Sequence, residues 1–328
     1  MRKKFLGCLL GGAAGDALGY TVEFIREDAI FSKFGKRGIT AYVPVRGKAR
    51  ISDDTQMTMF TADALLMEGE PVANIAQFYR EWLVTQRCSY PAQGQFRSRL
   101  MGVADLFAPR APGLTCMSAI EDGCKGTMEA PPNHSKGCGG VMRVAPCGLR
   151  FPPEQAAQIA AEAAALTHGH PMGYMPAAML GYMVSRLVRT DCTLREAAEA
   201  AMVHMRTMFA GEACLSDFLM LMEQAMSLAI LRGDDLENIH TLGEGWVAEE
   251  ALAIAFYCAL RYEEDFDSAM IAAVNHNGDS DSTGAICGNL LGARLGIDGI
   301  PEKYRQDLEL SDLILRLADE IHATLKDE

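Results

Sequence analysis

The sequence has no C-x-x-C pair, no apolar run of eighteen residues and little strand signal. The first absence removes support for a zinc ribbon or a thioredoxin-type site. The second excludes a transmembrane helix. Ten cysteines among 328 residues are too sparse for a disulfide-stapled scaffold. Most lie in apolar runs (Cys8, Cys147, Cys258, Cys287), where a free thiol behaves as a small hydrophobe, so a reduced, cytoplasmic protein is expected. Positive charge is also in deficit: 30 Lys and Arg face 43 Asp and Glu, a formal net charge of −13. Such a chain repels phosphate backbones, and nucleic acid is not an expected partner. Linkers of the Ser/Gly or charged type are missing, as are internal repeats of 20–50 residues. A single domain over 1–328 is the simplest reading, with a monomer expected.

The N-terminus has the outline of a secretory signal, with Arg2-Lys3-Lys4 ahead of an apolar stretch from Phe5 to Ala14. Gly7, Gly11 and Gly12 interrupt that stretch, and Cys8 comes too early for a lipoprotein cleavage site. Asp16 and Glu23 then follow in a pattern that reads better as a site. Export is not expected.

What is present is helical periodicity. Apolar residues recur three to four apart over 5–19, 55–68, 72–87, 154–167, 174–189, 193–208, 215–231, 247–261, 283–295 and 307–326. This predicts an all-α fold. Residues 38–50 read as irregular or a short ribbon, and loops are expected at 107–116 and 122–140. The methionines at 202, 205, 208, 220, 222 and 226 read as helical core packing before a binding groove.

Two acidic clusters precede helical patterns: Ile51-Ser52-Asp53-Asp54-Thr55 and Gly278-Asp279-Ser280-Asp281-Ser282-Thr283. Ser and Asp cap helices well, but a cap needs one such residue. Two adjacent acids and an Asp-x-Asp exceed that need, and carboxylates this close repel unless something cationic neutralises them. Carboxylate and hydroxyl oxygens are hard donors suited to Mg²⁺ or Mn²⁺. An EF-hand matches Asp279, Asp281, Thr283 and Gly284 but fails at its twelfth position, where Leu290 stands in place of a bidentate Glu. If both clusters serve one site, six oxygen donors surround a two-metal centre.

Glycines recur every fourth residue at 7, 11, 15 and 19, and again at 284, 288 and 292. Each costs a helix up to about 1 kcal/mol against Ala, so a stripe on one face implies close backbone approach to a neighbour. The two striped helices are expected to pack together in a central layer, with their acidic ends near one site. Glu23 is then a fifth carboxylate within reach. A third motif runs from Ser135 through Lys136, Gly137, Cys138, Gly139, Gly140, Val141 and Met142 to Arg143. A glycine-rich loop before a helix offers backbone N–H groups to an anion, although this one is neither a Walker loop nor a dinucleotide fingerprint. In the fourth motif, Thr167-His168-Gly169-His170, a hydrogen-bonding role is favoured for His168, while His170 is left open.

Taken together, Gly11 to Gly19 with Glu23, Ser52 to Thr55, Gly137 to Arg143, Thr167-His168 and Gly278 to Thr283 resemble the ADP-ribosylglycohydrolase family, in family order and across most of the chain. The resemblance implies stacked helices around a binuclear Mg²⁺ or Mn²⁺ site and removal of ADP-ribose from modified side chains. It implies that Ser52, Asp53, Asp54, Asp279, Asp281 and Ser282 are metal ligands. Glu23 or Asp54 is implied as the acid or base. The 137–143 loop with Ser135 is implied as the diphosphate cradle, and His168 as a ribose or phosphate contact. Cys138 departs from the Asn usual in that loop, and the form of the motifs looks most like the arginine-directed branch. Other acceptors (serine, O-acetyl-ADP-ribose, a nucleobase) and an inactive ADP-ribose-binding relative are the alternatives.

Overall fold

In the computed structural model of the protein, which describes residues 1–231 and 233–325, every extended regular element is a helix. In chain order these are α1 Arg2–Gly19, α2 Glu27–Phe34, α3 Asp53–Ala64, α4 Pro71–Arg87, α5 Leu114–Glu121, α6 Ala145–Arg150, α7 Pro153–Ala165 and α8 Pro171–Arg189. There follow α9 Leu194–Met208, α10 Leu215–Ile230, α11 Asp235–Leu242, α12 Ala248–Arg261, α13 Phe266–Val274, α14 Ser280–Leu295, α15 Glu302–Arg305 and α16 Ser311–Thr324. Among the described residues, β structure is confined to isolated bridges such as Gly137 with Val247 and Ala49 with Leu308. No helix of the described residues is long and apolar enough to cross a membrane.

All ten periodic segments are helices, with small shifts at their ends. The acidic clusters do not precede α3 and α14, as the periodicity suggested; Asp53, Asp54 and Asp281 lie within their first turns. Ser52 and Asp279 are the N-caps, accepting from the N–H groups of Asp54 and Ser282. Helix α5 begins at Leu114, inside the expected 107–116 loop. The short helices α2, α5, α6, α11, α13 and α15 escaped the pattern because four to nine residues carry too few apolar repeats. The last segment starts at Ser311 rather than 307, and residue 326, its expected end, lies outside the described residues. Met202, Met205, Met222 and Met226 are buried in the core, whereas Met220 is exposed.

Helices α1 and α14 form the centre. From Phe5 to Gly19 and from Ser280 to Ala293 every residue is buried, as befits helices that are apolar or small on all sides. Their glycines interlock in antiparallel register: Gly7 faces Gly292, Gly11 faces Gly288, Gly15 faces Gly284 and Gly19 faces Ser280. A Cβ placed on Gly11 would lie 2.4 Å from the Gly288 carbonyl oxygen, so side chains are excluded from this seam. Antiparallel packing sets the C-terminal end of α1, with Asp16 and Glu23, beside the N-terminal end of α14. Helices α3, α8, α12, α13 and α16 pack around this pair over one continuous apolar core.

Candidate active site

Asp16, fully buried in α1, ties the start of α3 to the central pair. Its carboxylate accepts from the backbone N–H of Ser52 at 3.0 Å, from that of Thr55 at 3.1 Å, and from the Thr55 hydroxyl. These are orphan donors of a helix N-terminus, satisfied here by another helix. Burial pushes the Asp16 carboxyl up to about 6 against the pull of those bonds. Asp53 is held from the other side: its N–H donates to the Arg110 carbonyl at 2.9 Å, and its Oδ2 accepts from the Gly113 N–H at 3.3 Å.

The second cluster is set by a tight turn. Gly278 has φ +111, and a Cβ there would fall 1.9 Å from the Glu244 carbonyl oxygen. That same oxygen accepts from the Asp279 N–H at 2.9 Å. Asp279 Oδ1 and Asp281 Oδ1 both accept from the Ser282 N–H, at 3.2 and 3.0 Å. The Cys138 thiol reaches Asp279 Oδ2 at 2.6 Å.

The carboxylates therefore converge. Oxygens of Glu23, Asp279 and Asp281 lie within 4.8 Å of one another. Asp53 and Asp54 face the same space from α3, and Ser282 favours the charged form of Asp54 across the two clusters. Among the described residues, no ion pair involves any of these five acids. Glu23 Oε2 and Asp54 Oδ2 are buried with no hydrogen-bond partner. Burial, then the neighbouring Asp279 and Asp53 charges, pushes the Glu23 carboxyl up to about 9. Burial is also the largest cause raising Asp53, Asp54 and Asp281 well above the usual carboxylate range. A buried cluster of mutually repelling hard oxygens, two of them orphaned, fits divalent metal ions of the Mg²⁺ or Mn²⁺ kind.

These residues form the floor of a cleft of about 370 Å³. Gly137, Cys138, Gly139, Met142 and His168 line its other wall. Gly139 has no room for a side chain, since a Cβ would meet Cys116 Sγ at 2.7 Å. Backbone pairing of Cys138 with Trp246 and of Ala248 with Lys136 fastens this loop to the start of α12. At the mouth stand Leu114, 87% exposed, and the rings of Phe24 and Trp246, stacked with centroids 6.2 Å apart. Among the described residues, no Lys or Arg lines the cleft. A larger cleft of about 570 Å³ opens beside Lys36, Arg37 and Asp235, but among the described residues it gathers no buried unpaired side chain.

Not every residue expected at the site lines the cleft. Ser52, Ser135, Gly140 and Arg143 stand behind it. The Ser52 hydroxyl accepts from the Asp54 N–H at 3.1 Å, and the Ser135 hydroxyl accepts from the Gly137 N–H at 3.3 Å. Arg143 is fully buried among α5, α7 and α4 side chains and backbone. His170, left open above, caps α8: its Nδ1 accepts from the Met172 N–H at 3.0 Å. Sequence reasoning missed Phe24, Leu114 and Trp246, which carry no motif and meet only in the fold. It registered Asp16 without its anchoring role.

A sequence profile described as ADP-ribosylglycohydrolase matches residues 1–328. The ADP-ribosyl-[dinitrogen reductase] glycohydrolase of Rhodospirillum rubrum is 29% identical over 315 residues, covering 93% of this chain and 90% of that protein. The ADP-ribosylhydrolase ARH3 of Homo sapiens is 25% identical, covering 97% and 93%. A solved ADP-ribosylglycohydrolase-related protein complex shares the fold with a TM-score of 0.66 at 24% identity, over 98% of each chain. With a profile match along the whole chain and relatives aligned over nearly all of their length, this protein belongs to the ADP-ribosylglycohydrolase family.

Proposed function

We propose that this protein is a metal-dependent hydrolase that cleaves the bond between ADP-ribose and a modified arginine side chain, on a protein or a small conjugate. The observation that carries the reading is the convergence of five uncompensated carboxylates, two with orphaned buried oxygens, on a cleft whose other wall is a glycine loop. The carboxylates suit cations and the loop suits phosphate, and ADP-ribose demands both from its binding site. The Rhodospirillum rubrum relative supports the glycohydrolase reaction by its name.

The ligand set proposed is Asp53, Asp54, Asp279, Asp281 and Ser282, with Ser52 using the lone pair that its capping bond leaves free. Two ions, when bound, supply positive charge that orients the ribose hydroxyls and acidifies a water. The chain does the rest. Gly137, Gly139 and His168 hold the diphosphate away from the reacting centre, so remote binding energy positions the C1″ carbon. Glu23 and Asp54 each keep a buried oxygen able to hold or accept a proton. Water adds at C1″ as the C1″–nitrogen bond breaks through an oxocarbenium-like transition state, and the departing nitrogen retains its electron pair and takes a proton.

The arginine assignment rests on the form of the Gly137–Arg143 and Gly278–Thr283 motifs, which resembles the arginine-directed branch, and not on the field of the acids, which two bound divalent ions would largely neutralise. The test is a panel of ADP-ribosyl-arginine, ADP-ribosyl-serine and O-acetyl-ADP-ribose, scored by released ADP-ribose. Faster release from serine or the O-acetyl ester overturns the arginine assignment and leaves the hydrolase reading standing.

A further inference from the structure

Arg143 poses a physical problem. It is fully buried, yet among the described residues it has no carboxylate partner. An unpaired buried cation is costly, so its remaining contacts have to be good ones. Its Nη2 donates to the Thr167 hydroxyl at 2.6 Å and to the Ala163 carbonyl at 3.2 Å. Its Nη1 reaches Cys116 Sγ at 3.3 Å, and the guanidinium carbon lies 4.3 Å from the centre of the Tyr79 ring.

The Thr167 hydroxyl passes this arrangement on. It has one proton and two lone pairs, and Arg143 occupies a lone pair. Its two other neighbours are His168 Nδ1 at 2.8 Å and the Ala164 carbonyl at a marginal 3.4 Å. Donation along the shorter contact requires a bare Nδ1, whereas the reverse arrangement, an Nδ1–H into the second lone pair, leaves the hydroxyl proton only the long Ala164 contact. Burial and the nearby Arg143 charge both disfavour the imidazolium and push His168 down to about 3, so the ring is neutral. A neutral ring with a bare Nδ1 carries its proton on Nε2. That atom lies beside the loop: a Cβ on Gly137 or on Gly139 would come 3.3 Å from it, with Cε1 nearer still to Gly139 at 3.0 Å.

We propose that Arg143 is a positioning residue which, through Thr167, fixes His168 as the neutral Nε2–H tautomer, a hydrogen-bond donor to a phosphate oxygen held on the Gly137–Gly139 loop. Only the identity of that anion rests on the ADP-ribose reading; the tautomer is a property of the free protein.

The experiment is a long-range ¹H–¹⁵N spectrum of histidine-labelled protein at pH 7 without ligand, with the His168 signals assigned by their loss in His168→Gln. The expected result is a protonated Nε2 and a bare Nδ1 in wild type and in Thr167→Ser, with Nδ1–H signals emerging in Thr167→Val. Should Thr167→Val not fold, wild type and Thr167→Ser decide alone. An Nδ1–H ring, an imidazolium at pH 7, or a folded Thr167→Val with unchanged signals overturns the proposal. ADP-ribose binding gives the second readout. His168→Gln, which keeps an N–H at the place of Nε2, is expected to bind within about three-fold of wild type, and His168→Leu about ten-fold weaker. Equal affinities of the two variants overturn the donor role. If wild type fails to bind ADP-ribose at all, the functional reading falls, while the tautomer is still decided by the spectra.

Discussion

Gly15 of α1 and Gly284 of α14 meet backbone to backbone: a Cβ on Gly15 would stand 1.9 Å from the Gly284 carbonyl oxygen. No side chain can be fitted there by rotating a neighbour, because the obstacle is main chain. This contact lies one turn from Asp281 and next to Asp16, so it also sets the spacing of the site. Gly15→Ala is expected to cost about 3 kcal/mol or more in denaturant unfolding, at the upper end of overpacking effects. Gly211→Ala, which meets nothing within 4 Å, is the control and should stay within about 0.5 kcal/mol.

Asp16 holds the first turn of α3 with three accepted hydrogen bonds. Asp16→Ala leaves buried donors without partners, at about 1–3 kcal/mol each. The variant is expected to melt well below wild type and to bind Mg²⁺ or Mn²⁺ more weakly by calorimetry, because Asp53 and Asp54 lose their anchor. A melting loss with unchanged metal affinity would detach Asp16 from the site.

Protonation gives a further expectation. Glu23, raised to about 9 by burial and its acidic neighbours, has a higher value folded than unfolded. Its contribution to the metal-free protein is complete below about pH 4.5, the ordinary glutamate range. It is lost as pH rises through 9, because folding then buries a charge. In chelator, the melting temperature is therefore expected to fall from pH 6 to pH 8.5, and added Mg²⁺ or Mn²⁺ to restore more at pH 8.5 than at pH 6. A metal-induced increase independent of pH would contradict this picture of the cluster.

The stacked pair Phe24 and Trp246 offers an optical test. The chain has two tryptophans, and Trp82 is buried away from the cleft lining while Trp246 stands at the mouth. ADP-ribose is expected to change the emission of wild type, and of Trp82→Phe, but not of Trp246→Phe. Trp246→Ala is expected to weaken ADP-ribose about ten-fold, in line with base stacking worth about 1–3 kcal/mol.

The centre of this fold was readable because its signals are expensive. Glycine every fourth residue weakens a helix, and paired aspartates repel, so neither pattern persists for local reasons. Both helices and both clusters were therefore visible, and so was their meeting. Asp16 looked like one more acid of a motif, since two of its three donors are backbone N–H groups that leave no trace in the sequence, the third being the Thr55 hydroxyl. Arg143 sits in the glycine-rich loop motif, yet its charge points into packed side chains and backbone, which only the fold decides. Phe24, Leu114 and Trp246 come from three distant segments and meet at the cleft through tertiary packing alone.

The most direct measurement is release of ADP-ribose from ADP-ribosyl-arginine, in Mg²⁺ or Mn²⁺ and in chelator, by wild type and by the double variant Asp53→Ala with Asp281→Ala. The expected result is turnover by wild type that chelator abolishes and added metal restores, with a loss of at least about a thousand-fold in the folded double variant. Turnover that survives both chelator and the double substitution, or no release from any ADP-ribosyl linkage, would contradict the account.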